Sequence, residues 1–227
     1  MQAHSAKDER RPNPRRHRAA DREGNLTHIS LKYLGLLLCC PLFAACGGDS
    51  DDNSGQPAVK STADAEHAYL GLDASIDKAI TLGFDGFNAA TNANIAPQDA
   101  NGDHAGTMTV TGQVDQGASS NKTMHLSEAL TTYSDDGHLT YDTDAAALPA
   151  LELKLTKVPT GTLSGTLMGS FKIGGDLTGS VTLDLSFDGT LRPNADDATK
   201  VEREPGTTHI TGTATSGNDS FAVDVTR

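Results

Sequence analysis

The sequence predicts a mainly β protein of the α+β class: a curved antiparallel meander of about eight strands packed around one long N-terminal helix. Three observations support this fold. An apolar stripe at helical spacing runs through 61–87, apolar and polar residues alternate after 105, and Gly, Pro, Asn and Asp turns separate the alternating runs. One face of the sheet would be buried, and the other, rich in Thr, Ser, Asp and Lys, would be hydrated.

The helical pattern begins after Ser61, which has the side chain of an N-cap residue, with Asp64 as its capping partner three positions later. An apolar stripe follows: Ala65, Ala68, Tyr69, Leu72, Ile76, Ala79, Ile80, Gly83 and Phe87. We expect one amphipathic helix of about six or seven turns that ends at 86–88. Its polar face is acidic, which favours packing on a core over binding to a membrane surface.

Alternation of period two predicts the strands. The apolar positions that would share the buried face are Met108, Val110, Val114, Met124, Leu126, Leu130, Leu139, Tyr141, Leu151, Leu153, Leu155, Leu163, Leu167, Phe171, Val181, Leu183, Leu185, Phe187, Ile210, Ala214, Phe221, Val223 and Val225. A loop of three residues at 174–176 would pair Ile173 with Leu177 and keep both apolar faces on one side, whereas a loop of two residues would separate them.

Two further turns are consistent with the same buried face. A turn at 136–137 would bring Leu130 and Tyr141 together. A turn at 217–218 would place Ala214 opposite Phe221. Agreement among three hairpins on one face is the strongest evidence for the fold.

Glycines on the predicted buried face weaken strands unless something uses the space that they leave. They are Gly165, Gly169, Gly179 and Gly212. We expect them to let the sheet curve or let the helix lie close. Together with Glu128, the first three would line a candidate ligand cavity between the sheet and the helix.

Strict alternation places Glu128 on the apolar face, between Leu126 and Leu130. A lone inward carboxyl group could have a raised pKa or anchor a ligand. The favoured interpretation is a bulge or a strand end that turns this side chain outward.

No pattern in the sequence predicts a metal site, a cofactor or an enzyme. The run from Asp99 to Asp103 has the opening spacing of a calcium loop, but His104 replaces the required Gly and Val110 the required Glu. A polar loop between helix and sheet is the favoured interpretation of this run. The histidines lack metal-ligand spacing, and no G-x-S-x-G elbow surrounds a serine.

The charge of the chain argues against nucleic acid as a partner. Residues 1–45 hold 8 of the 18 Lys and Arg residues and 4 of the 30 Asp and Glu residues, which leaves 10 basic and 26 acidic residues after them. A net charge of −16 over that part is unsuited to binding phosphates.

The three cysteines, Cys39, Cys40 and Cys46, all lie in or directly after an apolar run at 33–45 that is too short to span a membrane. Ala44 and Ala45 precede Cys46, and a Gly, Ser and Asp stretch follows it. This arrangement resembles a bacterial lipoprotein signal peptide, although Phe43 stands where that family usually has Leu. The resemblance implies cleavage before Cys46, acylation of its sulfur and amino group, and, from Gly47, placement at the outer membrane.

The expected organisation is a signal peptide at 1–45, a disordered acidic tether at 46–60, and one domain at 61–227. A translation start downstream of Met1 is the simplest explanation of the long Arg-rich segment before the apolar run. The predicted architecture looks like that of periplasmic lipoprotein carriers and lipid-binding lipoproteins. We therefore expect a non-enzymatic envelope protein, held to the membrane through Cys46, with a structural or interaction role. The alternative is a carrier of a hydrophobic ligand, and the expected partners are a lipid or another envelope protein.

Overall fold

The computed structural model describes residues 57–115 and 119–227, and in these ranges the chain forms two helices followed by ten strands. The elements are α1 (Thr62–Leu70), α2 (Asp73–Ala89), β1 (Asn94–Asn101), β2 (Ala105–Val114), β3 (Lys122–Ser134), β4 (Leu139–Asp142), β5 (Ala150–Thr156), β6 (Thr162–Gly175), β7 (Gly179–Pro193), β8 (Val201–Arg203), β9 (His209–Ser216) and β10 (Asp219–Thr226).

The helical segment is divided, so the prediction of one long helix was wrong. The Ser61 hydroxyl accepts a hydrogen bond from the Asp64 N–H at 3.1 Å, as the cap prediction required. α1 then ends at Gly71, where an added Cβ would lie 2.5 Å from the Tyr141 hydroxyl oxygen. The glycine therefore gives the tyrosine room at the break between the helices. The segment also begins at residue 62 rather than at the N terminus of the chain.

The strands form one antiparallel sheet in the order β1-β2-β3-β4-β6-β7-β9-β10. β5 pairs with β3 and β6, and β8 pairs with β7. The mainly β, antiparallel prediction is confirmed, but two of the ten strands were missed. β1 contains Pro97 and a register irregularity between Ile95 and Gln98, which disrupt the period of two. β8 has only three residues, too few to show a period.

One predicted hairpin has the register that we expected. Ala214 faces Phe221 and Gly212 faces Val223 across β9 and β10. Gly217, with φ of 64°, occupies the first central position of the two-residue turn, where a type II′ turn needs a positive φ.

The β6–β7 register differs from the prediction by two residues. Phe171 pairs with Val181 and Ile173 with Gly179, so the loop has five residues instead of three. A shift of two leaves every side chain on its predicted face. The β3–β4 connection also differs, because Tyr133 pairs with Tyr141 and the Leu130 N–H donates to the Thr143 side chain at 2.9 Å.

Apolar side chains from the helices and the sheet fill one continuous core. Tyr69, Ile76 and Ile80 from the helices have no exposed surface, and Leu185 from the sheet has none either. α1 packs on β10, while α2 packs on β1, β2, β3 and β8. The two helices therefore contact both edge strands of the sheet. Burial of each large apolar side chain contributes roughly 1.5–3 kcal/mol of stability.

Two glycines of α2 allow close contact between this helix and the sheet. An added Cβ at Gly83 would lie 3.2 Å from the Met124 sulfur, and one at Gly86 would lie 2.8 Å from the Ile95 Cβ. These positions let α2 lie close to β3 and β1. Gly165, which we expected to face the helix, lies instead against Glu152 and Leu153 of the neighbouring strand.

Residues that we assigned to the end of the tether belong to the folded domain. Ala58 and Val59 are buried, with 4% and 1% of their surface exposed. Their N–H groups donate to the Ser216 hydroxyl at 2.7 and 3.3 Å, and that hydroxyl donates to the Ser180 carbonyl. The folded domain therefore begins before the predicted boundary at residue 60.

Candidate functional site

Cys46, the predicted acylation site, lies outside the described residues, so its modification stays a prediction. The predicted signal peptide at 1–45 also lies outside them. The described residues contain two unusual groups of buried side chains on different sides of α2. One is the lone acid Glu128, and the other is a charged cluster around Arg203.

Glu128 lies where β3 exchanges one neighbouring strand for another. β3 pairs with β5 up to Ser127 and with β4 at Tyr133. Between these points the Glu128 N–H donates to the Pro149 carbonyl at 3.2 Å, so a loop supports this part of the strand. On the other side Glu128 pairs with Val110 of β2, and its side chain stays on the apolar face.

The carboxyl group of Glu128 is sealed in the core without a polar partner. The residue is fully buried, and neither carboxyl oxygen has a hydrogen-bond partner among the described residues. Burial raises the pKa of Glu128 to about 8, because an apolar environment disfavours the charged form. The favoured interpretation of a bulge that turns this residue outward was wrong; a register irregularity does occur in β3, but between Thr131 and Ser134.

The glycines of the candidate cavity contact neighbouring backbone in the sheet. An added Cβ at Gly165 would overlap the Glu152 carbonyl oxygen, and one at Gly169 would lie 2.5 Å from Pro149. Gly179 is buried at the start of β7 and has a φ of 136°. Gly165 and Gly169 thus allow close approach of adjacent chain segments.

Arg203 of β8 is the centre of a charged cluster that sequence reasoning missed. Its side chain is only 5% exposed, and its guanidinium donates to Asp73 at 2.9 Å and to Asp77 at 2.8 and 3.0 Å. Asp73 also accepts a hydrogen bond from the Tyr69 hydroxyl at 2.5 Å and one from Arg227 at 3.3 Å. These bonds connect Arg203 of β8, and Arg227 directly after β10, to α2.

The partners in this cluster keep its charges in place despite burial. Burial alone would raise the pKa of Asp73, but hydrogen bonds and attraction from Arg203 outweigh it and lower the pKa. Burial would likewise lower the pKa of Arg203, yet Asp77 and Asp73 raise it above its usual value. Burial, and then the charge of Asp73, raise the pKa of Tyr69. Asp73 and Arg203 therefore stay charged although they are buried, and the Tyr69 hydroxyl stays neutral.

A second polar cluster joins α2 to the turns after β1 and β3. Lys78 donates to Asp135 at 2.5 Å, to Asp103 at 2.9 Å and to the Asn101 carbonyl at 3.2 Å. Burial alone would lower the pKa of Lys78. Hydrogen bonds and attraction from Asp135 and Asp103 outweigh this effect, so the net shift of the pKa is upward. A lysine ammonium group thus binds the oxygens of the run that resembled a calcium loop.

Three clefts lie along the exposed side of α2, with volumes of about 450, 260 and 190 Å³. Asp77 lines the first two, and Thr81 lines the second and third. A fourth, of about 590 Å³, lies beside Phe171 and Lys172. All four are lined by residues other than Glu128 and the three glycines of the candidate cavity.

The Arg203 cluster left no signal that local sequence reasoning could use. Its ion pairs join residues 126 and 130 positions apart, and no spacing rule links such positions. The inward position of Glu128, in contrast, was visible in the alternation of β3. Among the described residues, no group of three or more His, Cys, Asp and Glu side chains is placed to bind a metal.

No helix within the described ranges has the length and apolar character needed to cross a membrane. Comparisons with protein-family models, with curated proteins and with solved structures found no match to this chain.

Proposed function

We propose that this chain is a lipid-anchored protein of the bacterial cell envelope, non-enzymatic, whose domain acts through its outer surface. The anchor would be Cys46, acylated after removal of residues 1–45, and the outer membrane is the expected location. Support for this part comes from the short apolar run and from Ala44 and Ala45 before the cysteine.

The observation that favours a surface-acting role over a carrier of a hydrophobic ligand is the filled interior. Side chains of α1 and α2 occupy the space over the buried face of the sheet, and Tyr69, Ile76 and Ile80 have no exposed surface. Gly83 brings α2 into contact with Met124, which leaves no room between helix and sheet at that point. We also propose that the sheet curves around the helices. The contacts of α1 with β10 and of α2 with β1, the two edge strands, support this curvature.

The distance between anchor and domain suits this arrangement. Pro57, the first described residue, lies eleven positions after Cys46. At ~3.3–3.6 Å per residue this segment could span at most about 40 Å. The domain would thus remain close to the membrane and meet partners there, such as another envelope protein.

Metabolic labelling with a fatty acid tests the anchor. Cys46→Ser should abolish incorporation of the label and leave the longer precursor, because the acylated sulfur is gone. Cys40→Ser, in the same apolar segment, is the matched control and should be labelled and processed normally. Continued labelling of Cys46→Ser would contradict the proposal.

Mass spectrometry of organic extracts from the natively purified protein tests the filled interior. We expect no stoichiometric free lipid in the extract, while the acyl chains on Cys46 stay attached to the protein. A free lipid at one per protein would replace the surface-acting role with that of a carrier of a hydrophobic ligand.

A further inference from the structure

Glu128 combines three features that a purely structural core residue does not need. It is fully buried, both of its carboxyl oxygens lack partners among the described residues, and it lies on β3, one of the four strands on which α2 packs. An apolar residue of similar size would fill the same space without the desolvation penalty of a carboxyl group. The acid is therefore a costly choice at this position unless its protonation has a role.

α2 holds β3 at two points on either side of Glu128 along the strand. Gly83 contacts Met124 and Leu126, and the Lys78 ammonium lies 5.4 Å from the centre of the Tyr133 ring. Water can reach the carboxyl group only if the packing around it separates. Movement of α2 away from β3 would therefore expose Glu128.

We propose that the α2–β3 contact is a pH-sensitive closure, in which protonated Glu128 keeps the helix on the sheet and loss of its proton favours a state with the helix released. This inference concerns the folded domain and does not depend on acylation at Cys46.

The other buried titratable groups on the elements packed around Glu128 have pKa values shifted away from the range in which Glu128 changes charge, and for Asp73 of α2 this shift is downward. Burial, and then Asp135, raise the pKa of Tyr133, and burial raises that of Tyr141, so both stay neutral. Lys78 stays charged, because Asp135 and Asp103 raise its pKa despite burial. β2 carries no titratable side chain, and the charged residues of β5 lie on the outer face of the sheet.

The direction of the pH effect follows from linkage. In the closed state burial raises the pKa of Glu128 to about 8, and in an open, hydrated state it would return towards 4.5. The closed state therefore binds the proton more tightly between these values. The population of the open state should rise about tenfold per pH unit from about 4.5 to about 8 and then level off.

Hydrogen–deuterium exchange of the intact protein, corrected for the intrinsic rate at each pH, tests this closure. Opening at the amides of α2 should follow the tenfold slope and should require a smaller free energy than opening at the centre of the β6–β7 hairpin, whose amides exchange through unfolding of the whole domain. Glu128→Gln should remove the slope, and Glu128→Met provides the same test if the glutamine variant does not fold. Glu152→Gln, which changes an exposed acid on the next strand, is the matched control and should keep the slope.

Two results would overturn the proposal. A slope that persists in both Glu128 variants would assign the pH response to other groups. An equal free energy of opening at α2 and at the β6–β7 hairpin at every pH would mean that the whole domain opens at once, so that Glu128 affects overall stability without acting on the helix.

Discussion

Asp73 and Glu128 are two buried acids in the same domain with opposite environments. Asp73 is 6% exposed and bonds with Arg203, Tyr69 and Arg227, so its pKa is lowered although burial acts to raise it. Glu128 is fully buried and has no such partners among the described residues, so burial raises its pKa to about 8. Burial alone thus does not determine the charge of a carboxyl group; the nearby donors do.

The largest expected effect is the dependence of stability on pH. The raised pKa of Glu128 contributes stability that is complete below about 4.5 and is lost as pH rises to about 8. The free energy of unfolding should fall by about 1.4 kcal/mol per pH unit in this range, or roughly 5 kcal/mol in total. Urea unfolding across the range measures it.

Glu128→Gln should remove this decline while leaving the acid side of the profile unchanged. Asp73 has the opposite sign: its lowered pKa contributes stability above about 3.8 that is lost as pH falls. A decline above pH 4.5 of the same size in Glu128→Gln would remove the contrast between the two acids.

The second largest expected effect tests the ion pair between Arg203 and Asp73. Arg203→Met should lower the free energy of unfolding by about 3–5 kcal/mol, because it leaves Asp73 buried without its main cation. Arg192→Met is the matched control, since Arg192 pairs with Glu202 on the neighbouring strand and is 43% exposed. We expect the control to lose less than about 1 kcal/mol in the same unfolding measurement. Equal losses would show that burial of the Arg203 pair adds nothing.

The smallest expected effect is the difference in stability between losing a hydrogen bond to a charged carboxylate and losing one to a neutral carbonyl. Tyr69→Phe removes the hydroxyl that donates to Asp73, and should cost about 1.5–3 kcal/mol. Tyr141→Phe removes a hydroxyl that donates to the Ala68 carbonyl at 2.8 Å, and should cost about 0.5–1.5 kcal/mol. Thermal or urea unfolding of both variants gives the comparison, and a larger loss for Tyr141→Phe would contradict it.

The sequence carried much of the fold because alternation reports which face a side chain occupies. It could not choose between loops of three and five residues at the β6–β7 turn, because a shift of two preserves every face. At the β9–β10 turn the Gly217 and Asn218 pair fixed the loop length, and there the predicted register was correct. Turn chemistry therefore supplied what periodicity could not.

The helix break and the charged cluster lay beyond local reasoning for different reasons. The apolar stripe continues on both sides of Gly71, so the pattern does not reveal that the helix is interrupted there, next to the Tyr141 hydroxyl. The Arg203 contacts depend on the folded path of the chain. Glu128 was located by its alternation, but we favoured the wrong orientation because an unpaired inward acid is unusual.

The Ser216 hydroxyl is the group through which a pull on the chain before the domain would act on the sheet. Tension on the preceding chain reaches Ala58 and Val59 first, and their N–H groups pass it to this one oxygen, which is bonded in turn to Ser180. The force therefore enters the paired strands β7 and β9 before it reaches α1, which begins at Thr62. If the chain is anchored through Cys46, as we propose, a pull on the tether would act on the β7–β9 pair before it acts on α1.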